Sequence, residues 1–273
     1  MATVDTVLGP LFVDDQGTPD QPVVLLWPSL FTDHSMWRHQ IDPLRAAGRR
    51  TIALDPPGHG RSPGPGRRFT MDECAQAAIQ ALDAAGVSTP VLYLGTSWGG
   101  FVAPRIALQA PERVSGMVLF NTSAERGTAF ERMRASVLVK LMAIGALDDV
   151  TARLIVAGLL APETRRRQPE LGDDLVQRMH SWDRRGFMTA VRSVLLDREP
   201  VLDALAAVSV PTLVVSGSED RTLPAVHSRR IADHLPGARH VEISGAAHLA
   251  ALEKPQDADS LILDFARGLP TAA

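Results

Sequence analysis

Gly95-Thr96-Ser97-Trp98-Gly99-Gly100 follows the apolar run Val91-Leu92-Tyr93-Leu94 and opens a stretch with helical spacing. A serine held at such a turn can act as a nucleophile. Gly95 and Gly99 relieve the crowding that larger residues would cause two positions to either side. Ser97 is then carried to the carboxyl edge of a sheet, at a helix N-terminus whose amides favour developing negative charge. A hydroxyl also needs a base. The chain holds eight histidines. His248 is the choice, because Ser244-Gly245-Ala246-Ala247-His248-Leu249 is a small-residue loop just after the run ending at Ile243, and it reaches the same edge. A carboxylate must set the tautomer of that base and stabilise its imidazolium. Ser216-Gly217-Ser218-Glu219-Asp220 follows Thr212-Leu213-Val214-Val215, which makes Asp220 the candidate and Glu219 the alternative. The amide of Trp98 is placed to hold an oxyanion, while its ring either lines a pocket or packs. His59, in Pro57-Gly58-His59-Gly60-Arg61-Ser62, reaches the same edge, but its turn-forming neighbours suit a structural hydrogen bond. His34, His39, His180, His227, His234 and His240 are read mostly as solvated surface groups.

The elements that must position these groups are short apolar runs ending at turn residues. Val23–Trp27 stops at Pro28, Thr51–Leu54 at Asp55-Pro56-Pro57-Gly58, and Met117–Phe120 at Asn121; His240-Val241-Glu242-Ile243 runs into Ser244-Gly245. Runs of four or five residues without alternation suit strands buried on both faces. Thr70-Met71-Asp72-Glu73 is a capping box opening a helix that ends near Gly86. Similar spacing predicts helices at about 37–47, 99–110, 223–235 and 255–267. Strands alternating with helices imply a mostly parallel sheet of about eight strands with helices on both faces. Thr6-Val7-Leu8 and Leu11-Phe12-Val13 add an antiparallel edge hairpin. Residues 125–208 break the rhythm with apolar residues at helical intervals and no strand between them. The expected organisation is a core of 1–124 and 209–273 with an inserted helical cap, 125–208. Ala161-Pro162 and Arg165-Arg166-Arg167 mark turns inside the cap, and the end from Leu269 to Ala273 is expected to fray.

The chain of 273 residues is long enough for one large core, and 28 Lys+Arg against 31 Asp+Glu leaves a net charge of −3. That balance offers no footprint for nucleic acid or an acidic membrane surface. The single cysteine, Cys74, excludes a disulfide framework and a cysteine-built metal site, and suits packing. No secretory leader and no run of about 20 apolar residues is visible, so a cytoplasmic protein without membrane partners is expected.

With these residues in view, the chain resembles the α/β-hydrolase superfamily, in its capped, serine-nucleophile branch. The resemblance is carried by Gly95–Gly100, Leu54–Ser62, Gly217–Asp220 and Ala247–Pro255. Ser97 sets it apart from dehalogenases and epoxide hydrolases, whose elbow carries aspartate. The family's usual His-Gly after the first core strand is missing; Trp27-Pro28-Ser29-Leu30-Phe31-Thr32 stands there instead. That stretch, through Met36-Trp37, is similar to the Asn-Ser-Leu-Gly-Thr segment of 3-oxoadipate enol-lactonases. The match implies that Leu30 supplies the second oxyanion amide beside Trp98, and that Phe31 replaces a glycine and makes the pocket mouth bulkier. Pro28 has no amide hydrogen to offer.

The resemblance implies hydrolysis of an ester or lactone of a small, partly apolar molecule through an acyl-enzyme on Ser97, with no metal and no organic cofactor. The same triad serves C–C bond hydrolysis and cofactor-free perhydrolysis. A non-enzymatic alternative is a ligand-binding or accessory protein on the same fold. Phe31, Met142, Leu159, Trp182, Phe187 and Met188 are candidates to line the substrate pocket, with ordinary packing as the competing reading for the cap residues. Arg165-Arg166-Arg167 reads as a solvated turn rather than a carboxylate site. The assembly expected is a monomer or homodimer.

Overall fold

The computed structural model describes residues 1–144 and 148–269; the expected frayed tail, Pro270-Thr271-Ala272-Ala273, lies outside them. Eight strands form one sheet: β1 (Ala2–Thr6), β2 (Gly9–Gln16), β3 (Val23–Trp27), β4 (Arg50–Leu54), β5 (Val91–Thr96), β6 (Val114–Phe120), β7 (Thr212–Gly217) and β8 (Arg239–Ile243). Their spatial order is β1-β2-β4-β3-β5-β6-β7-β8. β2 runs antiparallel to both β1 and β4, and the other pairs are parallel. Every residue of β3, β4, β5 and β7 is buried, which is why those runs lack alternation. β8 is the exception: it is an edge strand and carries Arg239, His240 and Glu242 on partly solvated positions. The opening hairpin forms, but its first strand is Ala2–Thr6, and Val7-Leu8 make the turn ahead of Gly9 at φ +86°.

The core helices α1 (Arg38–Ala46), α2 (Met71–Ala84) and α3 (Trp98–Gln109) link the first strands. The Thr70 hydroxyl accepts from the Glu73 amide at 3.1 Å, and Glu73 accepts from the Thr70 amide at 2.9 Å, closing the capping box at the head of α2. The chain passes from β3 outward to β4, then returns to the other side of β3 with β5. With right-handed crossovers, this reversal sends α1 and α3 to opposite faces and leaves a crevice at the carboxyl ends of β3 and β5. Both glycine-flanked Ser97 and the loop holding Leu30 leave the sheet there.

Between β6 and β7 the chain forms α4 (Ala129–Ile144), α5 (Asp148–Leu159), α6 (Pro162–Arg167), α7 (Pro169–Ser181) and α8 (Arg184–Leu195). α4 packs on α8, and α5 on α7. The expected turn at Pro162 and Arg165–Arg167 is instead the helix α6. Proline at its first position presets φ, and Glu163 near its start pairs with Arg166 and Arg167 at its end, complementing the helix dipole. After β7 come α9 (Ala225–His234), and after β8 α10 (Ala250–Glu253) and α11 (Pro255–Arg267), which packs on α1. Among the described residues, no helix is long and apolar enough to cross a membrane.

Candidate active site

Ser97 links β5 to α3 with φ 52° and ψ −103°, a conformation that costs a non-glycine residue roughly 1–3 kcal/mol. The surroundings enforce it. The Ser97 amide donates to Phe120 O at 2.9 Å, and its carbonyl accepts from the Phe101 amide at 3.0 Å and from the Thr122 hydroxyl at 2.8 Å. The flanking glycines are required by contact: a Cβ on Gly99 would lie 2.3 Å from Trp27 O, and one on Gly95 2.6 Å from the Gly99 carbonyl carbon. The Ser97 hydroxyl makes no hydrogen bond among the described residues. It faces a cavity of about 360 Å³, shared with Leu30, Phe31 and Leu159.

His248 and Asp220 meet as a buried pair, Nδ1 to Oδ2 at 2.8 Å. Glu219, the alternative, is exposed. Burial works against ionisation of Asp220. The charge and hydrogen bond of His248, the Leu223 amide and the Asn121 side chain outweigh it and hold the carboxyl below the usual carboxylate range. Its other oxygen accepts from the Thr222 and Leu223 amides at 2.8 and 3.0 Å, and both residues line the Ser97 cavity. The loop carrying His248 is tied to the helices above it: the amides of His248 and Leu249 donate to Leu159 O. Glu253 adds a second tie, accepting from Ala247 N at 2.8 Å and Ala161 N at 2.7 Å.

Asn121 was not visible as a functional residue in the sequence. It leaves β6 at φ +47° and donates from Nδ2 to both Asp220 Oδ2 (2.9 Å) and Ala247 O (3.0 Å), joining the acid to the histidine loop. An asparagine just past a buried strand at the catalytic edge is the signal that could have found it, since asparagine tolerates the left-handed region.

The amides of Leu30 and Trp98 have no hydrogen-bond partner among the described residues, as an oxyanion site needs. The Trp98 ring is fully buried, edge-on to Trp27 at 5.7 Å and stacked on Phe69 at 5.9 Å, so it packs rather than lining the cavity. Phe31 keeps the positive φ of a glycine, 69°, and its amide donates to His59 Nε2 at 3.3 Å. His59 is therefore neutral with its proton on Nδ1, directed at Pro57 O (3.2 Å). Complete burial lowers its pKa to about 4. Its ring also meets those of Trp98, Trp182 and Phe187 at 5.3, 4.8 and 5.2 Å.

Of the six residues expected to line the substrate pocket, Phe31 and Leu159 share the cavity with Ser97. Met142, Trp182, Phe187 and Met188 line a second cavity of about 400 Å³ between the cap helices. The reason is the aromatic cluster: Trp182 and Phe187 turn inward onto His59 and Phe31. His34, His227 and His240 are half-buried rather than free on the surface; they bond Asp55, Glu125 and Ser216. Asp33, His34 and Asp55 come close enough to suggest a metal site, but their oxygens already serve protein donors. Asp33 takes the amide and hydroxyl of Ser35, and Asp55 takes the His34 amide and ring and the Arg61 amide. Cys74 is fully buried, and burial pushes its thiol up, out of reach of reactive thiolate chemistry.

Residues 22–255 match the family model for the alpha/beta hydrolase fold. The chain is 30% identical to the "Putative non-heme bromoperoxidase BpoC" of Mycobacterium tuberculosis, across 93% of this chain and 97% of that one. It is 25% identical to 3-oxoadipate enol-lactonase 2 of Acinetobacter baylyi, across 88% of this chain and 86% of that one. Its fold is similar to that of a thermophilic esterase from Thermogutta terrifontis, with a TM-score of 0.87, 26% identity and 97% of each chain covered. With an eight-stranded sheet, a serine on a tight strand-to-helix turn and a buried histidine–aspartate pair, the chain belongs to the α/β-hydrolase fold family.

Proposed function

We propose that this protein is a serine hydrolase that cleaves a carboxylic ester or lactone of a small, partly apolar molecule through an acyl-enzyme. The observation that carries the reading is the buried His248–Asp220 pair, whose acid is bonded by two residues lining the same cavity as Ser97. In this reading His248 takes the Ser97 proton through Nε2 as Oγ attacks the carbonyl. The Leu30 and Trp98 amides hold the tetrahedral oxyanion. His248 then protonates the leaving alcohol, and water repeats the cycle on the acyl group. Asp220 keeps Nδ1 protonated and steadies the imidazolium.

The test is direct. Purified protein should hydrolyse short-chain aryl esters or simple lactones, and a fluorophosphonate should label Ser97 and not the Ser97→Ala variant. Absence of both turnover and labelling overturns the reading. Perhydrolysis uses the same groups with peroxide in place of water, and the likeness to BpoC keeps it as a second reading. Peracid formation from acetate and hydrogen peroxide, faster than ester hydrolysis, would select it.

A further inference from the structure

The wall of the Ser97 cavity carries charge that the chemistry at Ser97 does not use. Arg132 and Arg134 of α4, Arg198 beyond α8 and Arg221 beyond β7 line it, against one carboxylate, Glu131. The chain as a whole has a net charge of −3, so the excess of cations is local. None of the four arginines makes an ion pair among the described residues. Arg132 donates to Gly127 O at 2.7 Å, and Arg134 sits over the Phe130 ring. Arg198 donates to Glu125 O at 3.0 Å, and its guanidinium lies 3.8 Å over the ring of Phe101, itself a wall residue. Glu131 is engaged elsewhere, accepting from the Thr128 amide and lying 3.7 Å from His227 Nε2.

Arg198 is the member that ordinary surface charge does not explain. Its Nε is sealed from solvent and has no hydrogen-bond partner among the described residues. The residue as a whole is half-buried, and the planar fork of a guanidinium matches a carboxylate. Burial, then the like charge of Arg105, bring its pKa down to about 10 against the opposing pull of the Glu131 carboxylate, so it is cationic at neutral pH.

We propose that the substrate carries a carboxylate, held by Arg198, with Arg132 and Arg134 drawing the anion toward the cavity. The proposal rests on the reading of Ser97 as nucleophile and names the class of ester or lactone it attacks.

Two matched pairs test it. Mono-4-nitrophenyl glutarate against 4-nitrophenyl valerate places the charge on the acyl side, and 4-acetoxybenzoate against methyl 4-acetoxybenzoate places it on the leaving side. In at least one pair the anionic ester should have the higher kcat/KM, by about tenfold or more and mainly through KM, and that advantage should shrink as salt is added. Arg198→Gln should lower the anionic-to-neutral ratio by a similar factor. If that variant does not fold, the Arg132→Gln/Arg134→Gln double variant should lower the ratio and flatten its salt dependence. No anionic preference in either pair, or a ratio unmoved by the substitutions, overturns the proposal. If no ester of either pair is cleaved, fluorophosphonate labelling of Ser97 decides the nucleophile reading separately. Thermal denaturation with glutarate then decides the anion site: a higher Tm for wild type but not for Arg198→Gln supports it, and no shift overturns it.

Discussion

The rim of the sheet and the helices above it are built on different terms. At the rim, Ser97, Asn121 and Asp220 each stand just beyond a buried strand and His248 beyond the edge strand β8, and backbone or side-chain hydrogen bonds fix each one. Across the cavity, α4 and α5 offer arginines and aliphatic groups to the site. On their other sides they leave Phe130, Met133, Val137 and Val150 exposed. Specific ties join the two regions, among them Leu159 O to the His248 loop, Glu253 between Ala161 and Ala247, the Thr222 hydroxyl to Gly158 O, the Phe69 amide to the Ser193 hydroxyl, and the close approach of Gly186 to Gly58 and Gly64. The carboxyl ends of β5, β6 and β7 hold their groups in register because each of these strands is paired on both sides. A helical layer can change its inward surface without disturbing that register. On the proposed reading, chemistry belongs to the rim and selectivity to the helices.

The sharpest way to break this division is at the rim. Ser97→Ala and Asp220→Asn should each lower kcat on an aryl ester by about 10⁴-fold or more, since each removes one member of a unit that works together. Near-normal turnover in either variant would refute the assignment. Next in size is the pH dependence of stability, which comes from the tie between rim and cap. His59 has a folded pKa lowered from 6.5 to about 4, so its stabilising contribution is complete above pH 6.5 and is lost as pH falls toward 4. The full loss is about 3 kcal/mol. Urea midpoints measured across that range should fall for wild type and be flatter for His59→Gln.

A smaller effect tests the elbow. Gly99→Ala forces a methyl group against Trp27 O and should cost about 1–3 kcal/mol in denaturant titration, with a parallel loss of kcat. The smallest effect belongs to the outer face of the cap. Met133→Gln, at a residue 54% exposed, should change stability by less than about 0.5 kcal/mol. A large loss there would mean that α4 is held more tightly than its exposed face implies.

Much of the rim was legible because its residues obey local rules. Gly95 and Gly99 mark the elbow by the room they leave, Asp220 and His248 follow apolar runs, and Thr70 with Glu73 announces a helix start. The cap was legible as helix but not as a pocket. Trp182 and Phe187 have the spacing of lining residues but line the cavity between the cap helices rather than the one at Ser97, packing on His59 and Phe31. Pro162 reads as a break and begins α6. Arg198 lies outside any periodic element, and Arg165-Arg166-Arg167, the conspicuous basic run, ends in exposed pairs with Glu163.

The sequence by itself determined which strands are buried and where the chain turns tightly, and it nominated Ser97 and His248 with Asp220 or Glu219 for the proposed triad. Those properties depend on steric room, hydropathy and short-range hydrogen bonding, all of which act within a few residues. The tertiary structure alone decided that Asn121 bridges acid and histidine loop, that His59 holds the Phe31 amide, and that arginines from distant segments line the Ser97 cavity together. Each depends on groups brought together from separate elements, and their burial and pairing follow from packing rather than from neighbours along the chain.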